Sequence, residues 1–166
     1  MPSSAPASIA VRLSDNISYC YDATLCRIRY AWSGGFLSNL DLFKNKKDTT
    51  SILQGEIFFK DQNKFPLEFE GINEGKLQFK GYKLVESGYP QFDYTYDSIS
   101  ITELTKPISN AKGFITHYTV NGYKGNIKIA IPSSARLSSK QGKVKGDYLV
   151  IKPKHLRQFS ITTEAL

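Results

Sequence analysis

Short runs in which apolar and polar residues alternate one by one constrain the fold of this chain most. Between Cys26 and Trp32, Cys, Ile, Tyr and Trp alternate with Arg, Arg and Ala, and the segments 91–96 and 127–131 repeat the pattern. A period of two places successive side chains on opposite faces of a β-strand. These runs therefore predict strands with one buried face, and on the first run Ile28, Tyr30 and Trp32 are expected to share that face.

Turn-forming residues separate most of the apolar runs. Asn121-Gly122 lies between two of them and predicts a hairpin turn, because both residues tolerate a positive φ. Ser33-Gly34-Gly35 is a second turn signal. No window carries a convincing helical stripe, although residues 36–47 and 153–157 could each form one helical turn. The sequence therefore predicts an all-β protein, an antiparallel β-sandwich of roughly a dozen short strands.

The chain of 166 residues has the size of a single domain. Its 21 aromatic residues can build a hydrophobic core, which excludes a disordered chain. Residues 1–6, Met-Pro-Ser-Ser-Ala-Pro, are expected to be a flexible leader, and residues 7–166 a single sandwich domain. The composition of the polar stretch Lys44–Thr50 predicts a mobile loop.

Positive charge is concentrated in the last third of the chain. Residues 106–166 contain eleven Lys and Arg but only two Asp and Glu, within a net charge of +7. Such a field favours polyanionic partners, whereas the alternative is that single lysines keep exposed strands soluble and unpaired. Nucleic acid is not expected as a partner, because no zinc-finger spacing, ribonucleoprotein motif or basic helix is visible. No apolar run is long enough to predict a membrane-spanning helix.

Cys20 and Cys26 are the only cysteines, and they flank a stretch that reads as a turn between two strands. Facing positions of a hairpin satisfy disulfide geometry, so the pair is either a disulfide or two buried thiols. A metal site is not expected, because His117 and His155 are distant in sequence from both cysteines. No cofactor motif is present, so no cofactor is expected.

Aromatic residues interleaved with polar ones offer the best candidates for ligand contact. A ring packs on the C–H face of a sugar while polar neighbours bind its hydroxyl groups. The alternative for most of these aromatic residues is core packing. The candidate ligand-binding residues are Arg27, Arg29, Tyr82, Tyr89, Asp93 and Tyr94.

No catalytic motif is present, so no catalytic residue is assigned. Asp93 and Asp97 share a strand face at a spacing that suits an inverting glycosidase. Solvation of the strand edge or sheet face is the favoured interpretation of the two carboxylates. His117 lies in an alternating run and is expected to be a hydrogen-bonded strand histidine.

Two stretches resemble a bacterial domain family. Tyr19–Leu37 (Tyr-Cys-Tyr-Asp-Ala-Thr-Leu-Cys-Arg-Ile-Arg-Tyr-Ala-Trp-Ser-Gly-Gly-Phe-Leu) and Phe79–Tyr96 (Phe-Lys-Gly-Tyr-Lys-Leu-Val-Glu-Ser-Gly-Tyr-Pro-Gln-Phe-Asp-Tyr-Thr-Tyr) are similar to segments of large secreted proteins, mainly from Planctomycetes, Bacteroidetes and their relatives. There the domain accompanies c-type cytochrome and sorbosone-dehydrogenase-like domains. The family has an acid after Gly-Gly-Phe-Leu, whereas this chain has Ser38.

The resemblance implies a periplasmic or extracellular domain excised from a larger protein. It implies neighbouring cytochrome or dehydrogenase domains as partners, and an oxidising compartment in which Cys20 and Cys26 would form a disulfide. It does not imply a haem in this chain, which lacks Cys-x-x-Cys-His.

The sequence is compatible with three functions. The first is a non-catalytic binding or docking module of a redox protein, with a glycan as its possible ligand. The second is a carbohydrate-active enzyme that uses surface carboxylates, and the third is a purely structural domain. Exposed aromatic residues on a concave face favour the first function. Paired carboxyl groups with raised pKa in a cleft favour the second, and complete burial of the aromatic residues favours the third.

Overall fold

The computed structural model describes residues 6–38, 52–61, 64–109 and 112–166. Within these ranges the chain forms fourteen strands and one 3-10 helix, Pro153–His155, at one of the two places where a helical turn was expected. The strands are β1 (Ser8–Arg12), β2 (Ile17–Asp22), β3 (Arg27–Ser38), β4 (Ile52–Lys60), β5 (Glu68–Phe69), β6 (Leu77–Leu84), β7 (Pro90–Tyr96), β8 (Ile99–Pro107), β9 (Gly113–Asn121), β10 (Ile127–Ala130), β11 (Ala135–Ser138), β12 (Gly142–Lys145), β13 (Tyr148–Ile151) and β14 (Phe159–Ala165).

The strands form three sheets, and every strand pair is antiparallel. The large sheet has the order β11-β14-β9-β8-β7-β6, the first small sheet β1-β2-β3-β4, and the second small sheet β12-β13-β10-β5. The predicted all-β antiparallel sandwich is confirmed. In the described part of the chain, no helix is long and apolar enough to cross a bilayer. Of the predicted leader, residues 1–5 lie outside the described ranges, as does the Lys44–Thr50 loop.

Both small sheets pack against the same face of the large sheet. Phe92 and Phe114 of the large sheet join the core beneath the first small sheet. Tyr94 and Tyr118, which follow on the same two strands, join the core beneath the second small sheet. Because strand residues separated by two or four positions share a face, the two small sheets lie side by side over one face.

A band of buried polar side chains crosses the large sheet between these two cores. It consists of Glu103, Thr105, Thr116 and Thr163, which we call the polar seam. Thr105 lies opposite Thr116 across the β8–β9 ladder. The seam marks the line along which the two small sheets meet.

A bulge between β2 and β3 changes the alternation expected for residues 26–32. Cys20 pairs with Tyr30 and Tyr21 pairs with Ile28, so the register shifts by one residue at Arg29. Ile28 therefore faces the core beneath the first small sheet, whereas Tyr30 and Trp32 pack on the opposite face of that sheet. The expectation that Ile28 shares a face with Tyr30 and Trp32 is wrong for this reason.

The predicted disulfide is also wrong, because Cys20 and Cys26 are both free, buried thiols. Cys20 lies in β2 and packs with Tyr30 and Trp32, while Cys26 lies in the four-residue turn and packs into the core beneath the second small sheet. The Cys26 thiol is 3.6 Å from the Ala23 carbonyl oxygen. The two sulfur atoms therefore face different clusters, and the cysteines do not occupy facing positions of the hairpin.

Asn121-Gly122 connects two sheets and does not form the predicted hairpin. β9 belongs to the large sheet, and β10 pairs with β13 and β5 in the second small sheet. Gly122 has a φ of +87°, and a Cβ atom at this position would lie 2.9 Å from the Ser98 carbonyl oxygen. The glycine is needed because the chain turns sharply beside another backbone segment as it leaves the large sheet.

Replacement of Trp32 by alanine is expected to destabilise the domain strongly. Trp32 is fully buried, as its place in the sequence predicted, and its indole N–H donates to the Gly35 carbonyl oxygen at 2.9 Å. Loss of such a side chain costs about 3–5 kcal/mol of the free energy of unfolding. Chemical denaturation of Trp32→Ala measures this, with Tyr82→Ala as the control at an aromatic residue that is 55% exposed. Equal midpoints for the two variants would contradict the assignment.

Candidate functional site

A cleft opens where the three sheets meet, at one end of the polar seam. Its free volume is about 70 Å³, and its walls are mainly apolar. Phe59 contributes from β4, Phe114 and Tyr118 from β9, and Ile129 from β10. The remaining lining residues are Arg27, Ile28, Asp61, Lys64, Pro66, Thr116, Ala130, Pro132, Leu137, Ile161 and Thr163. The cleft thus combines aromatic walls with a few polar groups, as ligand sites usually do.

Charged residues form one side of the cleft. Arg27 is fully buried, and its guanidinium group lies 2.8 Å from the Asp61 carboxylate and 3.7 Å from the Asp22 carboxylate. Arg29 contacts the same Asp22 oxygen atom at 3.2 Å. A guanidinium group presents several donors in a fixed plane, which suits contact with two carboxylates. Two cations and two anions therefore balance one another beside the apolar walls.

Asp22 is held in place by the turn that follows it. Its Oδ1 atom accepts hydrogen bonds from the backbone N–H groups of Thr24 and Leu25, at 3.0 and 3.3 Å. Its Oδ2 atom is left for the two arginines. The β2–β3 hairpin therefore fixes Arg27 before any ligand arrives.

The polar seam extends from the cleft into the interior. Thr116 lines the cleft, and its hydroxyl group lies 3.1 Å from that of Thr105. Further along the seam, the Tyr94 hydroxyl donates to the Glu103 carboxyl group at 2.9 Å. Burial raises the pKa of Glu103 to about 8, although the bond from Tyr94 opposes the rise. Glu103 is therefore largely protonated and uncharged at neutral pH.

The aromatic residues around Glu103 respond to the same environment. Burial first, and then the nearby Glu103 carboxylate, raise the pKa of Tyr19, Tyr21, Tyr94 and Tyr118. All four rings lie within the two cores. They stay protonated over the physiological range and enclose the carboxyl group without supplying a cation to it.

The six residues singled out from the sequence do not form one site, and only Arg27 lines the cleft. Arg29 supports it through Asp22. Tyr94 is buried against Glu103, and the half-buried Tyr89 donates its hydroxyl hydrogen to the Leu13 carbonyl oxygen at 3.0 Å. Tyr82 lies on β6, the edge strand of the large sheet.

The carboxylates considered for catalysis have structural partners away from the cleft. Asp93 accepts a hydrogen bond from the Thr102 hydroxyl group at 2.8 Å on the outer face of the large sheet. Asp97 occupies a turn with a φ of +53°, and it accepts the backbone N–H of Lys76 at 2.7 Å. His117 is half-buried on that outer face, where burial and Lys106 lower its pKa. These groups do not converge on one reaction centre.

Sequence reasoning missed Asp61, Glu103, Thr116 and Thr163. One signal was available for three of them, because they occupy the positions that alternation assigns to the buried face. In β9, Thr116 lies between Phe114 and Tyr118 in such a series. A polar residue at an inward position of a strand is unusual enough to suggest a polar contact in the interior. Asp61 follows β4 outside any pattern, so no signal identified it.

Comparison of the chain with protein-family models, curated proteins and solved structures finds no match. Among the residues that the structure describes, no three His, Cys, Asp or Glu side chains are grouped so that they could hold a metal ion.

Replacement of Arg27 by methionine is expected to cost about 3–5 kcal/mol of the free energy of unfolding, because the Asp61 carboxylate would lose its 2.8 Å contact with Arg27 beside an apolar wall, while Asp22 would keep its contact with Arg29. Arg12→Met is the matched control, since Arg12 forms a surface pair with Asp15 and exposed pairs contribute about 0–1 kcal/mol. Urea denaturation at neutral pH compares the two. Similar small losses in both variants would show that the buried pairs contribute little.

Stability is expected to fall as pH rises, because of Glu103. The folded protein binds this proton more tightly than the unfolded chain, whose glutamate pKa is near 4.5, so the favourable contribution is complete below that value. It declines as pH rises to about 8, by at most about 1.4 kcal/mol per pH unit, and is constant above.

Glu103→Gln keeps an oxygen that accepts the hydrogen bond from Tyr94, but it has no carboxyl proton to lose. Its denaturation midpoint should therefore vary less than that of the wild-type protein between pH 5 and pH 8, which span most of the range in which Glu103 acts. Glu86→Gln, at an exposed position, is the control. The idea fails if Glu103→Gln and the wild-type protein show the same pH profile.

Proposed function

We propose that this domain is a non-catalytic binding module whose cleft accepts one sugar ring of a glycan. The observation that carries the proposal is the cleft itself, an opening with aromatic walls, two hydroxyl groups and an ion pair at the meeting point of three sheets. The strands on every side hold these groups in place without a ligand. A preformed site of this kind binds without the cost of ordering its own residues.

The walls and the polar groups suit different parts of a pyranose ring. Phe59, Phe114 and Tyr118, which are 8%, 2% and 7% exposed, offer the small apolar surface that stays open to its C–H groups. Thr116 and Thr163 offer hydroxyl groups, and Asp61 offers a carboxylate that accepts hydrogen bonds from sugar hydroxyls. The ring would enter past Lys64, the exposed member of the lining. Recognition of a single ring favours the end or a side branch of a glycan.

The alternative of a carbohydrate-active enzyme has weaker support. Asp93 accepts a hydrogen bond within the large sheet, and Asp97 accepts one within a turn. Glu103 has a raised pKa, but it is fully buried and does not line the cleft. Asp61, the carboxylate of the cleft, is bonded to Arg27 at 2.8 Å. A glycoside hydrolase places one carboxyl group on each side of the glycosidic bond of its substrate. Such an enzyme would therefore need a second carboxyl group in this cleft.

A docking surface for a neighbouring domain is a second candidate. Tyr82 and Leu84 on the edge strand β6 are 55% and 66% exposed, so this edge offers apolar surface to a partner. The proposed partners are cytochrome or dehydrogenase domains of a periplasmic or extracellular protein. That setting rests on the resemblance of Tyr19–Leu37 and Phe79–Tyr96.

A glycan array probed with the full chain tests the proposal, followed by titration of methyl-labelled protein with a neutral oligosaccharide that binds. The methyl signals of Ile129, Leu137 and Ile161 should shift, because these residues line the cleft. Thr163→Val should weaken binding about three- to tenfold, the effect of one hydrogen bond.

Thr119→Val is the matched control, because Thr119 lies outside the cleft lining, beside Thr102 on the outer face of the large sheet. Shifts confined to that outer face, or no binding to any glycan, would exclude the cleft as a sugar site.

A further inference from the structure

The segment 136–157 carries seven basic residues and one acidic residue. It contains the β12–β13 hairpin and the 3-10 helix that follows. None of the seven forms an ion pair with any carboxylate in the described ranges. The seven are Arg136, Lys140, Lys143, Lys145, Lys152, Lys154 and Arg157, and all are exposed. The unbalanced charge of the whole chain is therefore concentrated here.

The strand register places several of these lysines on one face of the second small sheet. Lys143 lies opposite Val150, and Lys145 lies opposite Tyr148. Lys152 follows Val150 by two residues, so it points to the same side of the strand. On the other side of β13, Lys128 also lies opposite Val150, and its ammonium group contacts the Glu70 carboxylate at 3.5 Å. We call the outward side formed by Lys128, Lys143, Lys145 and Lys152 the lysine face.

The lysine face extends beyond what protection of an edge strand would require. Lysines on an exposed edge prevent pairing with another chain, and β12 is such an edge. Lys128, however, lies on β10, an interior strand between β13 and β5, where the Glu70 carboxylate balances part of its charge. Lys152 directly follows the interior strand β13. Lys140 and Lys154 lie at the open end of the β12–β13 hairpin, because Lys140 precedes Gly142, Lys154 follows Ile151, and these two residues pair with each other.

We infer that the lysine face binds an acidic polysaccharide, one that carries carboxylate or sulfate groups along its length. Lys143 and Lys145 on β12 and Lys152 directly after β13 form no ion pair with a described carboxylate, and with Lys128 on β10 they match charges that repeat along an extended polymer. Each ammonium group is a mobile point charge that needs no planar partner. No residue of the lysine face lines the cleft, so the inference goes beyond the proposed function and does not depend on it.

The surroundings favour a polysaccharide over nucleic acid. Single-stranded nucleic acids bind to exposed aromatic rings that stack with bases. Among the described aromatic residues only Tyr82 is well exposed, and it lies in a different sheet. A groove of duplex DNA is read by a helix or ribbon that enters it. β13, by contrast, is paired on both sides, so the hairpin is part of a sheet and is not a free ribbon that could enter a groove. Between its lysines this face presents Tyr148 and Val150, which are both half-buried.

Binding of the full chain to dextran sulfate and to polygalacturonate tests the inference, with neutral dextran and oligothymidylate as comparison polymers. The variant Lys143→Gln/Lys145→Gln/Lys152→Gln should lose about tenfold or more in affinity for both acidic polymers at low salt. The slope of its log affinity against log salt concentration should become shallower by about two to three, because three charges are removed and each contributes slightly less than one to the slope.

The matched control is Lys76→Gln/Lys80→Gln/Lys83→Gln, which removes the same charge from exposed positions in and next to β6. Melting temperatures verify that both variants fold. Retention of affinity by the control supports the lysine face. An equal loss in both variants would show that only net charge matters, and absence of binding to both acidic polymers would overturn the inference. Oligothymidylate binding as tight as that of dextran sulfate, with the same sensitivity to the variants, would reassign the face to nucleic acid.

Discussion

One face of one six-stranded sheet is shared by two separate small sheets, and this constraint organises the interior of the domain. Each small sheet covers its own core, so the line between them would be either a void or a place for polar groups. The polar seam fills it with Glu103 and three threonines whose hydroxyl groups are small enough to pack. The cost of burying a carboxyl group is reduced because it keeps its proton, and Tyr94 satisfies one of its oxygen atoms. The cleft lies where this seam reaches the surface.

Alternation of apolar and polar residues was enough to predict the strands and their antiparallel arrangement, because a strand with one buried and one solvated face requires that alternation. Phe92, Tyr94 and Ile127, Ile129 face inward as the period of two predicts. The sequence could not indicate that the strands divide into three sheets, since a connection between sheets uses the same residues as a hairpin. Asn121-Gly122 has the composition of a hairpin turn, yet it leads from β9 in the large sheet to β10 in another.

Local irregularities account for most of the other differences. Ser33-Gly34-Gly35 looks like a turn, but it continues β3, where Gly34 has a φ of +105° and pairs with Gly55 of β4. The bulge at Arg29 separates Ile28 from Tyr30 and sends Cys20 to a different cluster from Cys26. The candidate site was only partly predictable, because its groups come from strands far apart in the chain. Arg27 was identified by its aromatic and basic neighbours, whereas its partner Asp61 has no local signature.

The two small sheets also differ in how the chain assembles them. The first is a meander in which β1, β2 and β3 each pair with the next strand in sequence, whereas β5 in the second pairs with β10, and the whole of β6 to β9 lies between them. Closing that long loop is entropically unfavourable until the large sheet exists, so the meander can form early and the second sheet late. Amide hydrogen exchange in the native state would then be fastest in the short strand β5, whereas β10, β12 and β13, which carry the lysine face, pair with one another without that long loop.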